Sequence, residues 1–324
     1  MLFSVRISAT SAKTLVLTER GIAMDGTIFE DKFFNAKRVT RTAVKIEGMG
    51  GENCYLVEGS ERALLIDGLC GVGPLKAFVR ELTDKPVTMV ATHGHIDHTG
   101  AAWEYGELFI QPDDVPLMYT KAHCGQEERL NFAKFGAGPD VAHRTEPTLR
   151  DVPPARPVKT YPVYDGDIFD LGGVQLEVIQ VPGHTYGTIV LLNRAERVVF
   201  SGDACNANTL LSLQGSTSIE EYLESLHHLH KYMDAFDGML GGHGDGLVPK
   251  SIVDDAIAMC ERIIARTDEK VPVITIDGNP ALLASDRGPD YLPKCGGYAN
   301  IMYWENCIHR RPRPVIKGEP NFYR

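Results

Sequence analysis

Four times along this chain an apolar run ends in a short turn that carries a residue able to bind a metal. That recurrence restricts the fold more than any other feature. Val87-Thr88-Met89-Val90-Ala91-Thr92 leads into His93-Gly94-His95-Ile96-Asp97-His98. Val178-Ile179-Gln180-Val181-Pro182-Gly183 leads into His184, Arg197-Val198-Val199-Phe200-Ser201-Gly202 into Asp203, and Gly238-Met239-Leu240-Gly241-Gly242 into His243. Short apolar runs bounded by glycine read as buried strands, and α/β folds place chemistry on the loops that follow such strands. Three imidazoles and a carboxylate within one hexapeptide are costly to bury unless a metal compensates them. Neutral imidazole with carboxylate suits zinc and related first-row ions. Any single Gly-His or Gly-Asp pair would carry little weight. The series is informative because consecutive positions alone cannot close two coordination spheres.

The hexapeptide is the H-x-H-x-D-H pattern, and with Gly183-His184-Thr185, Ser201-Gly202-Asp203 and Gly242-His243-Gly244 the chain resembles the metallo-β-lactamase-fold superfamily over roughly residues 40 to 265. Asn53-Cys54-Tyr55-Leu56-Val57 and Leu64-Leu65-Ile66-Asp67-Gly68 resemble that family's opening pair of strands. The resemblance implies an α/β fold, an αββα four-layer sandwich of two mixed β-sheets flanked by helices. It also implies two zinc ions, with manganese or iron as alternatives. His93, His95 and His184 would hold one; Asp97, His98 and His243 the other; Asp203 would bridge them. Asp67 would stand behind the site and orient a ligand rather than bind metal.

Two dications close together acidify a shared water, and the resulting bridging hydroxide can attack a carbonyl or phosphoryl centre. Asp97 and Asp203 are the catalytic candidates, accepting a hydrogen bond from the nucleophile and then shuttling its proton. The G-x-S-x-G elbow of α/β-hydrolases is absent from the sequence. Aspartate at the bridging position, where β-lactamases of this fold carry Cys or no bridge, turns the reading away from antibiotics. The ligand set is similar to that of glyoxalase II and acyl-lactonases. It predicts a dinuclear-zinc hydrolase that cleaves an ester, thioester, lactone or amide of a small molecule. A mononuclear-iron, persulfide-dioxygenase-like oxidoreductase and a phosphodiesterase of the same fold stay open. A binding module with a vestigial site would be expected to have lost some of these ligands.

Charge limits the partners. Lys and Arg number 33 against 43 Asp and Glu, a formal net charge of −10, so the chain has no general attraction for phosphate backbones and no nucleic-acid partner is expected. At 324 residues and 43% hydrophobic content it can bury a full core as a single domain spanning residues 1–324. No signal peptide and no membrane-length apolar stretch are read. Seven cysteines without C-x-x-C pairs suit a reducing cytoplasm.

Residues 1–47 read as strands with a turn near Asp25-Gly26, and Pro74 to Thr83 as a crossover helix. Residues 104–160 form a helical insertion between metal-binding loops. It holds a short strand at Leu108-Phe109-Ile110, a helix opened by Pro112-Asp113-Asp114 and running to His123, and a second helix from Gln126 to Phe135. His123, Arg129 and Arg144 are its candidates for contacting an anionic substrate. Asn206, Asn208 and Thr209, on the loop leaving Asp203, and Tyr186, just past the Gly-His-Thr motif, are further substrate-binding candidates. Ser218 with Glu221 predicts a capping box at the head of an amphipathic helix running to Phe236. His227, His228 and His230 in that helix do not share one face and read as structural. Ile252 to Ile264 reads as another helix. Residues 270–324 form a C-terminal extension whose aromatic and basic tail would cover the site or pair two copies as a homodimer.

Overall fold

The computed structural model describes residues 26–136, 146–275, 278–289 and 291–319. The turn expected at Asp25-Gly26, any strand before it, and Arg144 therefore lie outside the described residues, wholly or at their edge.

The first sheet has eight strands in chain order: Thr27–Glu30, Asn35–Arg38, Ala43–Glu47, Asn53–Glu58, Ala63–Ile66, Val87–Val90, Glu107–Ile110 and Lys159–Pro162. Pairing is antiparallel as far as Ala63–Ile66 and parallel from there on. The change of sense requires a crossover. Helix Leu75–Leu82 supplies it, burying Leu75, Phe78 and Val79. The second sheet has the order Leu247–Pro249, Gly238–Gly241, Val198–Gly202, Ile189–Asn193, Gln175–Gln180, Ile168–Asp170. Its one parallel pair joins Val198–Gly202 to Gly238–Gly241, with helix Ile219–His230 as the crossover between them.

Three apolar layers follow from these pairings. Tyr55, Val57, Leu64, Ile66 and Val90 of the first sheet meet Val178, Leu191, Phe200 and Leu240 of the second. On the outer side of the first sheet lie Phe78, Val79, Trp103 and Tyr119. On the outer side of the second, Tyr222, Leu226 and Leu229 pack with Ala256, Met259 and Ile263 of helix Ile252–Ile264. The central strands Ala63–Ile66, Ile189–Asn193, Val198–Gly202 and Gly238–Gly241 are buried on both faces, which is why they read as apolar runs rather than as alternation. Helix, sheet, sheet and helix are thus stacked as the sequence predicts.

Three details depart from the sequence reading. The expected helix from Pro112 is split into a 3₁₀ turn Pro112–Asp114 and short helices Val115–Met118 and Lys121–Cys124, the last two separated by Thr120, extended at ψ 152°. The helix after Ser218 ends at His230, and Met233–Ala235 is a separate 3₁₀ turn. A third sheet, not foreseen, pairs Thr209–Leu211 of the core in parallel with Ile301–Tyr303, followed by Pro280–Leu283 and Val271–Ile274. The extension is therefore woven into the core: Ala284, Ala299, Ile301, Tyr303 and Ile308 share the apolar layer of the two outer helices. No described helix is long and apolar enough to cross a membrane.

Candidate metal centre

Each ligand-type residue sits where the chain leaves a buried strand. After Val87–Val90 the chain passes through Thr92 and His93, and His95 stands extended ahead of the helical turn Ile96–Thr99. That turn divides the hexapeptide. His93 and His95 join His184 in one group, while Asp97 and His98, on the turn itself, join Asp203 and His243 in another. Within each group the donor atoms lie within 4.8 Å of one another.

Asp203 connects the groups. Its Oδ2 is 3.6 Å from His184 Nε2, 3.8 Å from His98 Nε2 and 3.2 Å from His243 Nε2. Asp97 Oδ2 is 3.5 Å from His98 Nε2 and 3.2 Å from His243 Nε2, and His95 Nδ1 faces His184 Nε2 at 2.8 Å. Six of the seven residues are buried. The His243 side chain is 39% exposed, which places the mouth of the site at its end.

The donor set fits a cation. His93 Nε2, His98 Nε2 and Asp203 Oδ1 are buried without a hydrogen-bond partner among the described residues. Each such atom costs about 1–3 kcal/mol unless something satisfies it. The opposite ring nitrogens are held: His93 Nδ1 by Thr92 Oγ1 at 3.1 Å, His98 Nδ1 by Asp67 Oδ2 at 2.8 Å, and His184 Nδ1 by the Leu210 carbonyl at 2.8 Å. This arrangement fixes ring orientation and leaves Nε2 turned inward, as metal-binding histidines require. Asp67 also accepts from the Thr92 N–H at 2.7 Å.

Protonation divides along the same line. Burial, with the neighbouring imidazoles, pushes His93 and His95 well below their usual range, and burial lowers His184 too. The shift favours the neutral form of all three, the form in which an imidazole can take a metal. Burial alone would lower His98 and His243. Asp97 and Asp67 carry His98 well above its usual range instead, and Asp203 does the same for His243. Burial would raise the carboxyls of Asp97 and Asp203, yet the imidazoles beside them hold both low.

The substrate-contact candidates are spread more widely. His123 stacks on the His95 ring at 5.1 Å between centroids, with Nδ1 at 2.6 Å from Thr120 Oγ1. Burial lowers its pKa to about 4, so it is a neutral imidazole against a ligand. The side-chain oxygens of Asn206 and Asn208 are buried and have no partner among the described residues, while the Asn206 N–H donates to Thr209 Oγ1 at 3.1 Å. Tyr186 lies under the Arg313 guanidinium, 4.1 Å from its ring centroid, and so faces the C-terminal tail. Arg313 itself pairs with Asp113 at 2.7 Å. Arg129 does not meet the expectation of an anion contact. It is fully buried and donates to the carbonyls of Gly71 and Pro153, bracing the insertion from inside. His228 and His230 pair with Asp165 and Asp254 outside the centre.

Sequence reasoning missed the residues that hold the His243 loop. Lys45 Nζ donates to the carbonyls of Gly244 and Asp245, Asn53 Nδ2 to that of Gly244, and Tyr55 OH to that of Gly241 at 2.6 Å. A lysine inside a strand is the one signal that pointed to this: Lys45 is 2% exposed and needed a polar partner.

Two facing mixed sheets with helices outside, and two adjoining groups of imidazole and carboxylate at their strand ends, define an αββα metalloprotein. The family model of the metallo-beta-lactamase superfamily matches residues 48–232, and the chain belongs to that superfamily. The chain is 27% identical over 202 residues to an acyl-coenzyme A thioesterase, MBLAC2, of Gallus gallus, covering 59% of this chain and 72% of that one. The human MBLAC2 thioesterase matches at 27% over 206 residues, with the same coverage of each chain. An uncharacterized protein of Mycobacterium leprae is 30% identical over 205 residues, covering 61% of this chain and 88% of that one. Among solved structures, the sec-alkylsulfatase Pisa1 from Pseudomonas sp. superposes with a TM-score of 0.54 at 17% identity, over 71% of this chain and 42% of that one; the likeness is one of fold. Family and relatives together point to hydrolase chemistry at a metal-binding site.

Proposed function

We propose that the protein is a cytoplasmic dinuclear-zinc hydrolase that cleaves the acyl bond of a small molecule, with an acyl thioester as the first substrate class to test. The observation that carries this reading is Asp203 Oδ2 within 3.8 Å of imidazoles from both donor groups. One carboxylate oxygen is thereby offered to two ions. The MBLAC2 relatives, thioesterases by name, favour the thioester over the ester, lactone or amide. Seven free thiols agree with a reducing compartment.

A zinc pair held here would supply an acidified water and a Lewis acid for the carbonyl oxygen. The chain's own residues do the rest. Asp97 and Asp203, held ionised by the imidazoles around them, accept the proton of the attacking water and pass it to the leaving atom. Burial of six ligands excludes bulk solvent and strengthens the field on the carbonyl. The exposed edge of His243 admits the substrate, and His123 stands beside His95. The amide groups of Asn206 and Asn208 provide unpaired polar atoms on the loop that leaves Asp203.

The test is elemental analysis of the purified protein, paired with hydrolysis assays on thioesters, esters, lactones, amides, phosphodiesters and a chromogenic β-lactam. About two zinc ions per chain with acyl-bond cleavage is the expected result. One iron per chain, with oxygen uptake on a persulfide and no hydrolysis, would replace this reading with the oxidoreductase one. Cleavage of phosphodiesters alone would replace it with the phosphodiesterase one.

A further inference from the structure

We propose that Asp114 is the positioning residue of the His93, His95 and His184 group, so that the insertion builds half of the metal centre instead of only walling it. The inference rests on the reading that this group holds a zinc ion.

Asp114 ends the 3₁₀ turn Pro112–Asp114 and is 1% exposed. Its Oδ2 accepts from the Gly94 N–H at 2.7 Å and from Thr185 Oγ1 at 2.6 Å, and its Oδ1 accepts from the Gly187 N–H at 2.8 Å. Gly94 lies between His93 and His95, and Thr185 follows His184. One carboxylate from a third segment is thus tied into both loops that supply the three imidazoles. Thr188 Oγ1 tightens the second loop further, 2.8 Å from Thr185 Oγ1 and accepting from the Thr185 N–H at 2.9 Å.

The fit around this carboxylate is close. A Cβ on Gly94 would stand 2.7 Å from the Asp114 carbonyl oxygen, and one on Gly187 would stand 2.7 Å from Asp114 Oδ1. Burial raises the carboxyl to about 6 against the pull of its three donors. Packing alone does not ask for a desolvated acid here, because an apolar side chain would fill the space at lower cost. Asp67 stands in the corresponding relation to the other group, accepting from His98 Nδ1. Asp67 acts on the His98 ring and on the Thr92 backbone ahead of His93, whereas Asp114 acts on the backbone and hydroxyl of the two loops that carry the first group.

Asp114→Asn keeps the shape but turns an NH₂ toward an N–H or hydroxyl donor. Zinc affinity is read by chelator competition in two backgrounds: His243→Ala, which leaves the first group intact, and His95→Ala, which leaves the second. The expected result is a 10- to 100-fold loss of affinity in the first background, about the size seen when outer partners of a ligand are removed, and no loss in the second. Thr185→Val, which removes one donor and keeps the side-chain shape, should shift the first group in the same direction by less. It also serves as the test if Asp114→Asn does not fold. Equal losses in both backgrounds, or a lowered melting temperature with unchanged zinc affinity, would overturn the inference and leave Asp114 a brace of the insertion. If the parent protein binds no zinc at the first group, the reading beneath fails and not this inference alone.

Discussion

Replacing Asp67 by asparagine should cost the second metal far more than it costs the fold. Asp67 has a positive φ of 67°, a conformation that asparagine tolerates about as well as aspartate. Shape and backbone therefore survive the change. What changes is the hydrogen-bond sense on one side. The carboxylate accepts from both the Thr92 N–H and His98 Nδ1, each within 2.8 Å, whereas an amide offers one oxygen and one NH₂. The Thr92 backbone has only a hydrogen to give, so the oxygen goes there and the NH₂ meets His98. His98 must then carry its proton on Nε2, the atom facing Asp97 and Asp203 at 3.5 and 3.8 Å. A ring protonated there cannot ligate, and forcing the other tautomer sets two donors against each other at about 1–3 kcal/mol. That range corresponds to a weakening of roughly 10- to 100-fold in zinc affinity at the second group, in line with losses of outer-shell partners generally. The melting temperature should fall by only a few degrees, since about 1 kcal/mol moves a chain of roughly 150–250 residues by about 2–4 °C and a longer one by less. Zinc retention after dialysis against buffered free zinc measures the effect. Two tightly held ions in the variant, with affinities equal to the parent's, would refute the argument that Asp67 sets the tautomer of His98.

The protonation pattern gives a second expectation. His98 and His243 are raised by the carboxylates beside them, so a proton must leave before either binds zinc, and affinity at their group falls as pH falls. The buried trio of His93, His95 and His184 is lowered and neutral already. Dialysis from about pH 8 down to about pH 6 should take the protein from two zinc ions toward one; simultaneous loss of both would contradict it. Arg129→Ala should destabilise the protein by about 2–5 kcal/mol through lost packing and orphaned carbonyls, measured by urea unfolding, and leave KM for an anionic acyl substrate unchanged. A raised KM at full stability would return Arg129 to the substrate. Asp203→Ala should abolish turnover and loosen zinc at both groups; a variant with parental activity and metal content would remove the bridging assignment.

The clustering of the ligand-type residues was legible because their signal is local. Each follows an apolar run that could only be a buried strand, and four such junctions in series leave few architectures. The supports of those ligands were not legible, because they act across the chain. Nothing in Pro112-Asp113-Asp114 separates Asp114, which reaches Gly94 and Gly187, from Asp113, which pairs with the tail through Arg313. Arg129 misled because arginine is almost always on the surface, and its burial depends on carbonyls supplied by Gly71 and Pro153. The third sheet was hidden for a similar reason. Thr209–Leu211 spans three residues and gains its strand character from Ile301–Tyr303, so the pairing has no counterpart in local propensity.

That third sheet also sets an order of events during synthesis. The carbonyl of Leu210 steadies His184 through Nδ1, and Leu210 is paired with Met302. A ribosome emits the four ligand loops well before Met302 appears, and domains generally begin to fold as their residues emerge. A nascent chain can thus present every donor atom while His184 still lacks its fixed orientation. If the centre takes zinc as proposed, capture at full strength should be a late step, gated by the arrival of a strand that offers no donor.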